Sequence, residues 1–553
     1  MQRPQKKLSA VVLHWHPQQP LRLTLESLRH VADSILVVQT HLAAEATQGP
    51  HAEGVECLRH PWQQSFADAW NQGLQAAQGE WVLCLQAGEM LSEASRDALG
   101  HFLQQQARPE CGYLLWMQQP PIHPDLNPQR AAQVRLWARE QQLRFTGRVS
   151  ETLMESMAAQ DMELALAPLV LIHPALGDAA YRKQQALLQL ELLRLELPEA
   201  PPWRIPRLLN TLGDLQLLAG QRQQARQSYQ QALQLAPEGS TDRLEAYLGV
   251  VAAQEPETWD DQLAVVMRGL DEFPRDAQLL CAAGGVLQAQ GRLQMAARCF
   301  QMAASAGQVN PQVWHLANVT EFALHCQGMT LALAGQMDEA ITALVQACGM
   351  PGATPLMWWT MLELMLRAGQ KERALQKVQT IPPHWGHDPA VLKSAIRGAH
   401  LAMQQNWLAA QAYLETAYRA GCTSPLCLQP LALFYLNTGQ REQAQEVLAR
   451  WMQAQPYLEH LQATVRLLQE QMPPEPTPAE LQPLVQRLAA QGPGSIPAPP
   501  PMVPAGDEAE PSRPQQQRHT PAPVARRPHV PPSPPAGETP SFRGDAPAAS
   551  QES

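Results

Sequence analysis

The chain has 553 residues, which predicts three or four folded units at about 150 residues per domain. Its formal charge is −10 and its Lys and Arg residues form no dense stripe, which excludes an electrostatic surface for nucleic acid or for an anionic membrane. No apolar run approaches the roughly 20 residues that span a bilayer. Nine scattered cysteines without a C-x-x-C pair indicate reduced thiols. We therefore expect a cytoplasmic protein with no membrane span and no nucleic-acid partner.

The first 173 residues alternate short β-rich runs with amphipathic helical stretches, which is typical of an α/β fold. The predicted strands cover residues 9–14, 34–39, 81–86, 112–118, 133–139 and 168–173. The predicted helices cover residues 20–32, 66–77 and 92–106, with Ser92 as the N-cap of the third. We therefore expect one α/β domain over residues 1–180 and a connecting helix over 181–205.

From residue 206 the sequence becomes an internal repeat of about 34 residues in which small residues recur in step, as in the tetratricopeptide repeat. The first copy places on this template Leu209, Leu212, Gly213, Ala225, Tyr229, Ala232 and Pro237, and a later copy places Gly328, Ala340, Leu344 and Ala347. We predict about seven repeats over residues 206–458 and capping helices over 459–490. Such an array forms a right-handed solenoid, and we expect its concave face to bind a protein or peptide.

The last 63 residues, 491–553, hold 17 of the chain's 50 prolines. A segment of this composition cannot bury enough apolar surface to fold by itself. We therefore expect a disordered Pro-rich tail.

Several segments before the repeats resemble motifs of family-2 glycosyltransferases, which have the GT-A fold, a Rossmann-like α/β sandwich. Residues 33–40, DSILVVQT, resemble D-E-I-V-V-V-D-T, and residues 66–71, FADAWN, resemble F-A-x-A-R-N. Residues 134–137, VRLW, and 144–151, RFTGRVSE, resemble V-R-L-F followed by R-F-x-G-R-V-H-E. The chain thus resembles a family-2 glycosyltransferase with C-terminal tetratricopeptide repeats.

The charged ligand positions of these motifs are mostly lost. Where the family has L-D-A-D-E, with two metal-binding Asp residues, this chain has LQAGE, so that Gln86 and Gly88 occupy the carboxylate positions. Gln39 replaces the Asp that the resemblance assigns to the nucleotide, and Ser150 replaces a His. A hard cation needs anionic oxygen ligands to offset its dehydration, so we expect no metal site.

The resemblance implies a nucleotide-sugar cleft lined by nine residues: Gln39, Asn71, Gln86, Gly88, Glu89, Arg135, Arg148, Glu151 and His173. Among them, Glu89 and His173 are the remaining candidates for catalysis. Each has a structural alternative, because Glu89 precedes a predicted helix N-terminus and His173 is typical of a buried structural histidine. Arg148 could hold a phosphate or pair with Glu151.

Two functions of different classes follow from these observations. The first is a catalytically degenerate glycosyltransferase-like protein that acts as a protein-interaction scaffold through its repeats. The second is an active transferase with a metal-poor site, in which Arg135, Arg148 and His173 balance the diphosphate of a nucleotide sugar. Only this second function implies a cofactor, Mg²⁺ or Mn²⁺. The loss of the carboxylates favours the first.

Overall fold

The computed structural model describes residues 8–16, 19–40, 54–121, 123, 125–253, 259–386, 388–456, 458, 465–467 and 477–489. The predicted Pro-rich tail and half of the predicted capping segment lie outside the described residues.

Within these described ranges, nine strands form one sheet, which we call the head sheet. They are β1 (Leu8–His14), β2 (Ser34–Gln39), β3 (Val55–Arg59), β4 (Trp81–Gln86), β5 (Met90–Leu91), β6 (Cys111–Gln119), β7 (Gln129–Ala138), β8 (Glu163–Ile172) and β9 (His315–Leu316). Their order is β3-β2-β1-β4-β7-β6-β8-β5, and β9 pairs with β7. Strands β1, β2, β3, β4, β6 and β8 run parallel, while β7 runs antiparallel to its neighbours β4 and β6.

Five helices accompany this sheet: α1 (Leu21–Leu28), α2 (Phe66–Ala76), α3 (Glu93–Gln105), α4 (Met154–Ala159) and α5 (Ala179–Glu196). The central strand β1 is buried on both faces because alternate side chains enter two different cores. Val11 and Leu13 pack with α2, while Ala10 and Val12 pack with the residues of α3. The predicted α/β character of this part of the chain is thus found, as an open sheet between helices.

The rest of the described chain is helical. Its helices are α6 (Ile205–Leu218), α7 (Arg222–Leu235), α8 (Thr241–Ala253), α9 (Trp259–Glu272), α10 (Ala277–Ala289), α11 (Leu293–Ala306), α12 (Val319–Leu333), α13 (Met337–Cys348), α14 (Pro355–Arg367), α15 (Lys371–Lys377), α16 (Pro389–Met403), α17 (Trp407–Arg419), α18 (Pro425–Asn437), α19 (Arg441–Ala454) and α20 (Pro478–Ala489). From α6 to α19 they pack as successive antiparallel pairs, which we call the array.

The predicted small residues explain why these helices pair. A side chain at each repeat glycine would collide with the large residue sixteen positions later, in the pairs Gly213–Tyr229, Gly284–Phe300, Gly328–Leu344 and Gly398–Leu414. A Cβ at Gly213 would lie 2.5 Å from the Tyr229 ring, and one at Gly328 would lie 2.7 Å from Leu344. The glycines therefore set the close approach of the two helices in each pair, and the predicted helical repeats are confirmed.

The first helix of each pair contacts the first helix of the next pair along much of the array, and we call this face of the array its inner side. In the second half this inner side is filled. Residues Met357–Leu362 of α14 are buried, and so is every residue of α18 from Leu426 onward. Helices α14 and α18 touch each other, and α20 packs on α18. The inner faces of these two first helices are therefore covered.

Candidate functional site

The candidate cleft lies where the order of the sheet reverses. Successive connections lead from β1 to β2 and β3 on one side and to β4 on the other, and ligands of open α/β sheets bind at such a point, beyond the carboxyl ends of the strands. Gln39 pairs with His14 and Gln86 pairs with Leu13, so both glutamines end strands that flank β1. Two strand spacings separate them, about 10 Å. The structure thus brings Gln39 and Gln86 to one edge, where each offers a neutral amide.

Glu89 and Arg135 form a buried pair beside this edge. The Arg135 guanidinium lies 3.0 Å from Glu89 Oε1 and also donates to Gln133 at 2.9 Å. The second carboxylate oxygen of Glu89 accepts the backbone N–H of Gln86 at 2.7 Å. Burial raises the pKa of Glu89, whereas the charge of Arg135 lowers it. The two groups therefore neutralise each other, and Arg135 is not a free cation for a diphosphate.

Gly88 and His173 are in direct contact. Gly88 has a φ of +103°, and a Cβ there would lie 2.7 Å from Cε1 of His173 and 2.8 Å from its Nε2. Burial lowers the pKa of His173 to about 4, so the ring is neutral at pH 7. The space of the expected second metal-binding carboxylate is thus filled by an uncharged imidazole ring.

Two further cleft candidates are engaged by the protein itself. The Asn71 side chain donates to the Phe145 carbonyl and accepts the Phe145 N–H, both at 2.9 Å. Glu151 accepts from the indole of Trp70 at 2.8 Å, and burial raises the pKa of this carboxyl. Asn71 therefore fixes a loop, and Glu151 satisfies the tryptophan that stands where the family motif has an arginine.

The segment that resembles R-F-x-G-R-V-H-E joins the head sheet to the array. Glu196, at the end of α5, accepts the backbone N–H groups of Arg148 and Val149 at 2.9 and 2.7 Å. Arg204 donates to the carbonyls of Thr146, Val149 and Ser150, and pairs with Glu196 at 2.8 Å. We call this arrangement the loop clamp.

The side chains of the clamped loop contact the segment after α5 and helix α6. Arg148 pairs with the exposed Glu199 at 2.9 Å. The hydroxyl of Ser150, at the family's His position, lies 2.9 Å from the hydroxyl of Thr211 in α6. A Cβ at Gly147, which has a φ of +98°, would strike the Arg204 guanidinium. In this structure Arg148 is paired with Glu199, and the loop makes contact with the array.

A second contact, which we call the strand junction, joins residues 128–132 to residues 311–318 of the array. Strand β9 pairs with β7 through Gln129–Leu316 and Arg130–His315. The Ala132 N–H donates to the Pro311 carbonyl at 2.6 Å, and the Ala317 N–H donates to the Pro128 carbonyl at 2.8 Å. Near it, Gln455 after α19 donates to Asp125 at 2.8 Å, both being buried. The sequence carried no signal for this junction, because its strand is two residues long.

The inner side of the first two pairs carries a charged cluster that we call the inner cluster. Arg207 of α6 forms a short ion pair with Glu245 of α8 and lies 3.7 Å from Asp242. Asp214 accepts from the hydroxyl of Tyr229 at 2.6 Å. Burial raises the pKa of Glu245 to about 7. The Arg207 and Asp242 side chains keep 38% and 26% of their exposure, so this stretch remains open to solvent, unlike α14 and α18.

Within the described ranges, no group of three or more His, Cys, Asp or Glu residues is placed to hold a metal ion. All nine cysteines are free thiols. In the same part of the chain, no helix has the length and apolar character of a membrane span.

Comparisons with known proteins match the array. Residues 206–238 match the family model of the tetratricopeptide repeat. A tetratricopeptide repeat protein from Parabacteroides merdae has a TM-score of 0.34 and 12% identity, covering 48% of this chain and 100% of that chain. The pilF protein of Pseudomonas aeruginosa has a TM-score of 0.29 and 14% identity, covering 47% of this chain and 96% of that chain. YrrB, a tetratricopeptide repeat protein with an unusual peptide-binding site, has a TM-score of 0.25 and 14% identity, covering 44% of this chain and 100% of that chain. No match is found among curated proteins.

The matched segment coincides with α6 and α7, the first helical pair, whose glycine and tyrosine make the contact described above. The chain therefore contains tetratricopeptide repeats and is a helical-repeat protein with an α/β head. The likeness of the head to family-2 glycosyltransferases rests on its sequence motifs alone.

Proposed function

We propose that the protein is an interaction scaffold in which the array binds a protein partner and the head is a catalytically degenerate, glycosyltransferase-like platform. One observation carries the second part: the surviving motif residues are used internally. Arg135 pairs with Glu89, Arg148 pairs with Glu199, and Glu151 accepts from Trp70. A nucleotide diphosphate that departs from its sugar is stabilised by concentrated positive charge. Because Arg135 and Arg148 are paired with carboxylates, little unpaired positive charge remains at the cleft.

The repeats support the first part, because arrays of this kind present extended surfaces to other proteins. We place the partner on the inner side of α6 and α8, since α14 and α18 are already covered. Asp242 of the inner cluster is exposed enough to meet a peptide, and its link to Arg207 is long at 3.7 Å. An inner-side partner would therefore contact this carboxylate without first breaking a short ion pair.

The test captures partners from a lysate on the full-length protein and compares two charge reversals. Asp242→Lys changes the inner side, whereas Asp271→Lys makes the same change on the exposed side of the second helix α9. We expect a partner to be lost with the first variant and retained with the second. Equal retention by both variants would move the binding surface away from the inner side.

The alternative, an active transferase with a metal-poor site, is favoured by the position of Gln39 and Gln86 at the point where the sheet order reverses. Calorimetric titration with UDP, with and without Mn²⁺, distinguishes the two functions. The scaffold proposal expects no saturable, Mn²⁺-dependent binding. Tight binding that requires Mn²⁺ would establish the alternative.

A further inference from the structure

A single histidine lies at the centre of the strand junction. His315 is only 2% exposed. Its Nδ1 lies 2.9 Å from the Val313 carbonyl, and its Nε2 lies 3.2 Å from Nε of Arg130. A carbonyl only accepts and a guanidinium only donates, so Nδ1 must carry the hydrogen and Nε2 must carry none. The closed junction therefore fits one form of the ring, the neutral Nδ1–H tautomer.

The surroundings of His315 disfavour a positive charge. Arg130 lies 4.3 Å above the ring of Trp116, and the His315 ring meets the same Trp116 edge-on at 5.6 Å. Burial and the charge of Arg130 lower the pKa of His315. Burial lowers the pKa of Arg130, whereas the negative charge of Glu321, in α12, raises it. The Glu321 carboxylate also accepts a hydrogen bond from the Gly352 N–H. A protonated His315 would thus turn an N–H donor toward another donor, with two like charges in contact.

The other titratable groups at this contact belong to the loop before β7. His123 lies 3.8 Å from Asp125, which in turn accepts from Gln455. His123 and Asp125 precede strand β7, whose Arg130 contacts His315. His123 provides the control histidine for the variants below.

We propose that the strand junction is a pH-responsive latch, in which protonation of His315 releases strand β9 from the head sheet. Release would separate Arg130 from His315 and withdraw Trp314 from the core of the head, against which it packs. The histidine favours the closed state above the ordinary pKa of 6.5, and this contribution is lost as the pH falls below that value. For each unit by which closure lowers the pKa of His315, protonation of this histidine shifts the equilibrium from the closed to the released junction about tenfold.

Hydrogen exchange measured by mass spectrometry on the full-length protein tests the latch without a partner, so its failure would leave the scaffold proposal intact. The reporters are the N–H groups of Ala132 and Ala317, which donate across the junction. After correction for intrinsic exchange rates, we expect protection at both to fall about tenfold between about pH 7.5 and about pH 5. Protection in β1 should stay constant.

The variant His315→Gln keeps an acceptor for Arg130 and cannot take up a proton, so its junction protection should not change with pH. The control His123→Gln should behave like the unmodified protein. Arg130→Gln provides a second route, because removing the like charge should reduce the loss in acid. Unchanged protection of the unmodified protein down to about pH 5, or an equal loss in the glutamine variant at position 315, would overturn the proposal.

Discussion

Glu196 and Arg204 lie 2.8 Å apart in a buried ion pair, and together they hold the loop over residues 146–150 from both sides. Glu196 accepts hydrogen bonds from two backbone N–H groups of the loop, and Arg204 donates hydrogen bonds to three of its carbonyls. The loop that resembles R-F-x-G-R-V-H-E is thus fixed by the helix that leads into the array and by the residue just before α6.

Replacing Arg204 by Ala should destabilise the protein by about 3–5 kcal/mol, because Glu196 would remain buried without its partner and three carbonyls would lose a donor. Urea unfolding followed by tryptophan fluorescence measures the change. The control is Arg148→Ala, which breaks a more exposed pair and should cost less than about 1 kcal/mol. Similar losses of stability in the two variants would show that the loop clamp does not hold the loop over residues 146–150.

Restoring aspartates at positions 86 and 88 should not create a metal site. Gly88→Asp places a side chain against the His173 ring at a φ of +103°, which should cost about 1–3 kcal/mol of stability in backbone strain alone. Gln86→Asp alone should fold normally. Mn²⁺ titration of the double variant and thermal melting of both single variants check this. A double variant that binds Mn²⁺ tightly and melts like the parent protein would contradict the geometry at Gly88.

Glu363 of α14 should make the array less stable as the pH rises. Burial raises the pKa of this carboxyl to about 7 from an ordinary value of 4.5, so the folded state holds the proton more tightly than the unfolded state. Its stabilising effect is present below pH 4.5 and is lost between about pH 4.5 and 7. Glu363→Gln should therefore raise stability at about pH 8, by up to about 3 kcal/mol, with little effect at about pH 4.

Urea unfolding of this variant at the two pH values gives the comparison. The exposed Glu372, in the next helix, provides the matched control, since Glu372→Gln should change little at either pH. A gain for Glu363→Gln that is equal at both pH values would exclude the carboxyl's titration as the cause.

Ala340→Glu should destabilise the array by about 3–5 kcal/mol. Ala340 is fully buried where α13 packs on α12, and a glutamate there would bury a charge without a partner. Thr342→Glu, on the exposed side of the same helix, should cost less than about 0.5 kcal/mol. Differential scanning calorimetry of the two variants measures the contrast, and equal melting temperatures would refute the repeat packing.

The array was predictable because its signal is local and periodic. Gly213 and Tyr229 stand sixteen residues apart, and the same pair of sizes returns at Gly284 and Phe300, so the helix contact is written in the spacing. Strands β2 and β4 of the head were predictable for a similar reason and were placed at the residues where they occur, whereas the longer β7 and β8 begin before their predicted starts. Apolar runs that are buried on both faces leave a clear pattern.

What the sequence did not predict depends on contacts between distant segments. Strand β3 is half-exposed and carries Glu56 and Arg59, so it has no apolar alternation, while β9 is a strand only because it docks on β7. Gln39 and Gln86 were predicted to line one cleft, and they do lie at one edge of the sheet. Arg148 pairs with Glu199 rather than with Glu151. This pairing, like the contacts of Glu196 and Arg204, depends on how the segment between α5 and α6 packs on the loop.

The position of β9 also bears on how the protein is made. His315 lies 185 residues beyond its partner Arg130, and Gln455 lies 330 residues beyond Asp125. At a synthesis rate of roughly 5–20 residues per second, the edge of β7 waits roughly 10–40 s for β9 to emerge from the ribosome. An unpaired strand edge can join the wrong partner during such an interval. The nascent head is therefore most exposed to aggregation until β9, which follows the third pair of array helices, has emerged.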